Sequence, residues 1–162
     1  MVVHQGKSME IDPFLRSIVG LRASVPEDAF TATTLGTVRE GSGVFIRDGI
    51  VLTIGYLITE ADEVWLTTQD GRAVAAHVLA YDQKTGFGLV QALGRLDLAP
   101  LDFGDSARAA VGDEVVLADG TGLSVNAAIV TKQEFAGYWE YLLDEAIYAC
   151  PSLMGRSRTH RR

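Results

Sequence analysis

Residues 41–92 read GSGVFIRDGIVLTIGYLITEADEVWLTTQDGRAVAAHVLAYDQKTGFGLVQA, and they carry the clearest pattern of secondary structure in the sequence. Short runs rich in valine, isoleucine, leucine and alanine alternate with turn sequences such as RDG at 47–49 and QDG at 69–71. Runs of this kind, separated by glycine and aspartate, are typical of β-strands joined by tight turns. The stretch therefore predicts consecutive antiparallel strands.

The same pattern extends on both sides of this stretch. We predict strands near residues 19–25, 34–39, 42–47, 50–53, 63–68, 73–81, 87–92, 114–118, 123–132 and 138–143. Many short strands with almost no helical periodicity predict an all-β sandwich or small barrel. Residues 1–18 are interpreted as an N-terminal arm with a short helix or no regular structure. Residues 150–162, CPSLMGRSRTHRR, are predicted to form a disordered basic tail.

Composition narrows the possible functions. The chain has 162 residues, of which 48% are apolar and 22% charged, enough for one compact domain. Its net charge is −7, although four arginines crowd residues 156–162, so the remainder is more acidic still. An acidic domain repels phosphate backbones, which argues against nucleic-acid binding. The sequence has no signal-peptide pattern and no apolar run long enough to span a membrane, so we expect a cytoplasmic protein without a membrane partner.

The motifs of residues 41–92 resemble, in order and spacing, the first barrel of trypsin-like serine proteases of the HtrA/DegP type. The matching pieces are GSG at 41–43, DG at 48–49, VLT at 51–53, ADE at 61–63, DGR at 70–72 and DQKT at 82–85. The segments LDFGDS at 101–106 and VGDEV at 111–115 resemble the family's linker and the opening strand of its second barrel. The resemblance implies a trypsin-like double β-barrel, with the first barrel nearly complete over 19–104 and the second partial over 105–149.

The departures from the family pattern bear on catalysis. Tyr56 stands where the family has its catalytic histidine, and Gly86 stands where it has its catalytic aspartate. A DEAI segment at 144–147 resembles the one that precedes the family's nucleophile loop, but no GxSGG sequence occurs in these residues. A phenol, which titrates near pKa ~10 in model peptides, is a poor base at neutral pH, and glycine cannot orient an imidazole. The resemblance therefore predicts a catalytically inactive homologue, a pseudo-protease.

Other nucleophiles and bases have ordinary structural interpretations. His77 is predicted to be a surface residue on a strand, and His4 and His160 to lie in the two tails. Ser42 and Ser106 are interpreted as turn residues, with Ser106 capping its own turn. Ser152 lies nearest the family's serine but lacks its glycines. Cys150 is the only cysteine and has no histidine to activate its thiol. The acids Glu60, Asp62 and Glu63 are interpreted as a solvated face. No spacing suggests a metal site or a cofactor site.

A partial second barrel would leave a strand edge and an apolar face open. The exposed candidates are Trp139, Tyr141, Leu142 and Leu143. We therefore expect self-association or a polypeptide partner at this edge, and Tyr56 is the candidate residue for substrate or peptide binding. Two alternatives stay open: a serine endopeptidase that uses non-standard residues, and a truncated fragment without function, to which the abrupt basic ending would correspond.

Overall fold

The structure is a computed structural model that describes residues 2–4, 12–137 and 142–151. The described residues form an all-β domain, as the sequence predicts, with only short helices. The strands are β1 (Val2–His4), β2 (Ile18–Ser24), β3 (Val38–Arg47), β4 (Ile50–Ile54), β5 (Glu63–Thr67), β6 (Ala73–Tyr81), β7 (Phe87–Ala92), β8 (Glu114–Ala118), β9 (Ser124–Ala136) and β10 (Leu142–Pro151). The helices are α1 (Asp12–Leu15) and α2 (Ala32–Leu35), with 3-10 turns at Gly55–Leu57 and Ser106–Arg108.

The first barrel is closed by six antiparallel strands in the order β2-β3-β4-β7-β6-β5. Side chains alternate across its wall: on β5, Val64 and Leu66 are buried while Trp65 between them is 44% exposed. The inward residues form a single apolar core: Val19, Leu21, Ala23, Phe45, Val51, Leu57, Ile58, Val64, Leu66, Ala76, Val90, Ala92 and Leu96. Closure pairs both edges of the sheet, so this barrel has no free strand.

The second unit is an open sheet of four strands in the order β1-β8-β9-β10. Its small core consists of Val115, Ala127 and Ile129. A nearly complete first barrel beside a partial second one confirms the predicted double-barrel architecture. Within the described residues, β10 pairs with β9 alone, and its other edge has no partner strand.

Three local elements differ from the sequence prediction. Val2–His4 forms an edge strand on β8, which three residues are too few to reveal. The predicted strand 34–39 is helical at its start, over Ala32–Leu35, and becomes a strand only at Val38; Gly36 (φ +80°), in a conformation that favours glycine, separates the two. The predicted strand 138–143 lies partly outside the described residues; the observed strand, β10, begins at Leu142 and runs into the first two residues of the predicted tail.

The two barrels touch through glycines. Gly120, in the turn after β8, lies so close to β2 that a Cβ added to it would be 2.5 Å from the N and Cα atoms of Gly20. The hydroxyl of Ser42 on β3 accepts a hydrogen bond from the Gly120 N–H at 2.9 Å. A second link joins the N–H of Leu142 to the carbonyl of Lys84 at 3.4 Å. These contacts set the position of the second sheet beside the first barrel.

Candidate functional site

The site begins where β4 ends and β7 starts. Ile54 is paired with Phe87, and just beyond them the Gly55 N–H donates to the Gly86 carbonyl at 2.7 Å. Tyr56 follows directly and is 39% exposed. The fold therefore brings together Tyr56 and Gly86, the two residues that the sequence resemblance assigns to the family's histidine and aspartate positions.

The DQKT sequence at 82–85 forms the turn that precedes Gly86. The carboxylate of Asp82 accepts hydrogen bonds from the Lys84 N–H at 3.0 Å and the Thr85 hydroxyl at 2.7 Å. The Thr85 hydrogen bond, followed by the backbone one from Lys84, lowers the pKa of Asp82. Gly86 closes the turn with φ +74°, in the left-handed region that side-chain-bearing residues rarely adopt.

Arg39 holds the turn that carries Tyr56. Its side chain lies inside the fold, and the residue is only 4% exposed. One guanidinium nitrogen donates to the carbonyls of Tyr56 at 2.7 Å and Thr59 at 2.9 Å, and the other terminal nitrogen donates to the Thr31 hydroxyl at 2.7 Å. Burial lowers the pKa of Arg39, and the nearby carboxylate of Glu60 opposes this.

Glu60 fastens the neighbouring loop, residues 25–37, to the same turn. Its carboxylate accepts hydrogen bonds from the Phe30 N–H at 3.1 Å, the Thr31 N–H at 2.8 Å and the Thr31 hydroxyl. These bonds, led by the one from the Thr31 hydroxyl, lower the pKa of Glu60. We call Thr31, Arg39 and Glu60 the Arg39–Glu60 brace, because together they join the loop to the Tyr56 turn.

Glu60, Asp62 and Glu63 are all exposed, as the interpretation of a solvated face expects, and Glu60 in addition binds the loop of residues 25–37. The two backbone N–H groups that Glu60 binds belong to Phe30 and Thr31, far from it in the sequence, so nothing local in the sequence shows this contact. Sequence reasoning also missed Arg39. The alternation of side chains along the strands could have indicated its burial. Arg39 is paired with Ala23, which is fully buried, and residues paired across two strands point to the same face, here the inner one.

The pKa shift of Glu60 predicts a dependence of stability on pH. A carboxylate whose pKa is lowered on folding stabilises the protein above its unfolded pKa of about 4.3, and this contribution is lost as the pH falls through the lower folded pKa. We expect Glu60→Gln to lower the melting temperature at pH 6, and the difference from wild type to vanish near pH 2. Circular dichroism melts across this range measure the effect. A difference that stays constant with pH would contradict the ionised role of Glu60.

The remaining candidates occupy structural positions. Ser42 makes the inter-barrel hydrogen bond described above, and His77 is exposed on β6. Ser106 does not cap its turn: the carboxylate of Asp105 does so by accepting from the Ala107 N–H, since aspartate at this position reaches the amide two residues on. Cys150 is exposed on β10. His4 lies in β1, whereas Ser152, His160, Trp139 and Tyr141 lie outside the described residues.

In the part of the chain that the structure describes, no group of three or more histidine, cysteine, aspartate or glutamate side chains is placed to hold a metal ion. No helix among the same residues has the length and apolar character needed to cross a membrane.

Comparison with known proteins identifies the family. The model of the trypsin-like peptidase domain matches residues 41–157, and the chain therefore belongs to that family. The chain is similar to the "Probable periplasmic serine protease do/HhoA-like" of Haemophilus influenzae, with 35% identity over 96 residues that cover 56% of this chain and 21% of that protein. It is also similar to the "Probable periplasmic serine endoprotease DegP-like" of Bartonella henselae, with 30% identity over 95 residues that cover 56% and 19%. The match thus spans about a fifth of either relative. The predicted HtrA/DegP resemblance is confirmed.

Solved structures agree on the fold. The HtrA-type protease AlgW with tripeptide superposes with a TM-score of 0.65 at 14% identity, covering 87% of this chain and 49% of that one. The active form of the Rv3671c protease from M. tuberculosis gives a TM-score of 0.63 at 21% identity, covering 78% and 53%. At these identities the likeness establishes the trypsin-like double barrel and nothing finer.

Proposed function

We propose that this trypsin-fold domain binds polypeptide without hydrolysing it. The observation that carries the proposal is the adjacency of Tyr56 and Gly86, joined through the 2.7 Å hydrogen bond from Gly55 to Gly86. With Tyr56 and Gly86 at the family's histidine and aspartate positions, as the sequence resemblance implies, the groups that would transfer and stabilise a proton are missing.

The chemistry of acyl transfer makes these two losses decisive. A serine nucleophile needs a base that takes its proton and returns it to the leaving amine, and the aspartate holds that base in the correct orientation. Neither role can be filled from Tyr56 or Gly86. His77 does not replace them, because it is exposed on β6 and is paired with Gln91, whereas Tyr81 of the same strand is the residue paired beside the turn, with Gly88. This argument holds whatever supplies the nucleophile, since it concerns only the base and its orienting acid.

Hydrolysis of fluorescent casein tests the proposal. We expect purified wild type, Tyr56→Ala and Ser152→Ala to give traces as flat as buffer, with trypsin as the positive control. Turnover by wild type that Ser152→Ala abolishes would support the alternative function, a serine endopeptidase that uses non-standard residues. A fluorophosphonate probe that labels one serine of the wild-type chain would lead to the same conclusion.

The polypeptide partner is proposed to pair with the outer edge of β10. This strand is ten residues long, and side chains such as Leu142, which is 48% exposed, give it an apolar character. Its outer edge has no partner strand in the described structure, and such an edge is a template for another strand. If the partner is a second copy, light scattering on the same preparations should give a molar mass that rises with concentration. A molar mass that stays at the monomer value would contradict self-association.

We also propose an extracytoplasmic location, because both curated relatives are named as periplasmic. The cytoplasmic location expected from the sequence finds no support in these relatives.

A further inference from the structure

Two neighbouring loops of the first barrel present aromatic side chains to solvent. Phe30, in the loop between β2 and β3, is 87% exposed, and Tyr56, in the turn after β4, is 39% exposed. Their backbones are connected: the Phe30 N–H binds the carboxylate of Glu60, and the Tyr56 carbonyl binds the guanidinium of Arg39. The exposed ring of Phe30 is thus carried by a loop that is fixed to the barrel rather than by a free segment.

The same loops carry acids and no accessible cation. Residues 24–38 and 56–63 contain no lysine, arginine or histidine, and Arg39 next to them is buried. Glu60 is used internally by the brace, but four other carboxylates are exposed and form no ion pair within the described residues: Glu27, Asp28, Asp62 and Glu63. We call these four carboxylates, with Phe30 and Tyr56, the acidic loop surface.

The acids of the two loops, Glu27 with Asp28 and Asp62 with Glu63, belong to one surface because the loops start side by side. Ser24 at the end of β2 is paired with Glu63, and its carbonyl accepts a hydrogen bond from the Asp62 N–H at 2.9 Å. Glu27 and Asp28 follow Ser24 along the chain within four residues. The negative charges therefore lie next to the loop that presents Phe30.

We propose that the acidic loop surface binds a basic polypeptide segment that carries a large apolar side chain. Aromatic residues are enriched among interface anchors, since they offer a large contact area and lose little conformational entropy on binding. The charge determines the partner, because four like charges repel an acidic peptide and attract a basic one. This inference rests on the proposed function, in that it specifies the polypeptide that the domain binds, and it adds a surface separate from the β10 edge.

Fluorescence anisotropy of a labelled peptide tests the inference on the full chain. The probe is a short peptide of lysine, leucine and serine, compared with one in which glutamate replaces lysine and one in which serine replaces leucine. We expect only the first to bind. Phe30→Ala should weaken its binding about tenfold, as is usual for an interface anchor. The double variant Asp62→Asn, Glu63→Gln should weaken binding several-fold and reduce its salt dependence.

The chain offers matched controls in Asp102 and Phe103, an exposed acid beside an aromatic residue that is 73% exposed elsewhere on the surface. Asp102→Asn and Phe103→Ala should bind the peptide like wild type. The inference would be overturned if the control variants lost as much affinity as the variants of the acidic loop surface. It would also be overturned if the glutamate peptide bound as tightly as the lysine peptide. If the lysine peptide does not bind, this inference fails, but the casein experiment still tests the proposed function separately. If casein is hydrolysed, the proposed function fails, whatever the peptide measurement gives.

Discussion

Gly120→Ala is expected to destabilise the chain by about 3 kcal/mol, at the upper end of the usual cost of overpacking. The added methyl carbon would lie 2.5 Å from three backbone atoms, the N and Cα of Gly20 and the carbonyl oxygen of Val19. A flexible side chain could move away from such a contact, but the backbone of a closed barrel cannot do so without disturbing its strand pairing. The turn must then withdraw, and the hydrogen bond from the Gly120 N–H to Ser42 is lost with it.

Thermal unfolding followed by circular dichroism measures this effect. A loss of that size corresponds to a melting temperature lower by roughly 6–12 °C for a chain of this length. Gly104→Ala is the matched control, because no atom lies within 4 Å of its added Cβ and its φ is not positive. We expect the control to stay within about 0.5 kcal/mol of wild type. If Gly120→Ala melts like the control, the close packing of the two barrels at this point is refuted.

Arg39→Met should also cost about 3 kcal/mol, for a different reason. Hydrogen bonds from a charged donor contribute about 1.5–3 kcal/mol each, but the oxygens that Arg39 serves are partly accessible to water, which recovers some of the loss. The substitution leaves the carbonyls of Tyr56 and Thr59 and the hydroxyl of Thr31 without their cationic donor. It therefore separates the loop of residues 25–37 from the Tyr56 turn.

Two measurements test the role of Arg39. Melting temperature reports the global loss, and hydrogen exchange of the Phe30 and Thr31 amides, which donate to Glu60, should report faster opening of the loop. Arg22→Met is the control, since its guanidinium is 60% exposed and lies 3.6 Å from Glu40, and such surface pairs contribute about 0–1 kcal/mol. Arg39→Lys should recover only part of the stability, because a single ammonium cannot span the acceptors that a guanidinium reaches. Wild-type stability in Arg39→Met would exclude the proposed bracing.

The sequence predicts most of the first barrel because its strands and turns are local. The RDG and QDG turns and the alternation on β5 need only neighbouring residues, and the family motifs keep their order and spacing. The pairing of β1 with β8 was not predictable, since it joins segments far apart in sequence and involves three residues. The helix Ala32–Leu35 was missed because threonines favour strands, whereas the Gly36 conformation ends a helix there.

The candidate site also contains residues that local sequence predicts and residues that only the tertiary structure brings together. Tyr56 and Gly86 are recognised from their positions in motifs, and the fold places them together. The Arg39–Glu60 brace was not predicted, because Thr31, Arg39 and Glu60 are brought together only by tertiary structure. Charge composition alone identifies the acids, but it does not distinguish Glu60, which binds backbone amides, from Asp62 and Glu63, which face solvent.

The positive φ of Gly86 bears on which side chains this turn can carry. Most L-residues are strained at positive φ, but aspartate is one of the few that adopt it, as Asp48 (φ 45°) and Asp97 (φ 51°) do in this chain. With Tyr56 still present, however, an aspartate at position 86 would have no histidine to orient. A histidine gained first at position 56 would in turn lack its orienting carboxylate. A histidine–aspartate pair at this place therefore requires two substitutions, at positions 56 and 86, and each new residue acquires a triad-like role only when the other is present.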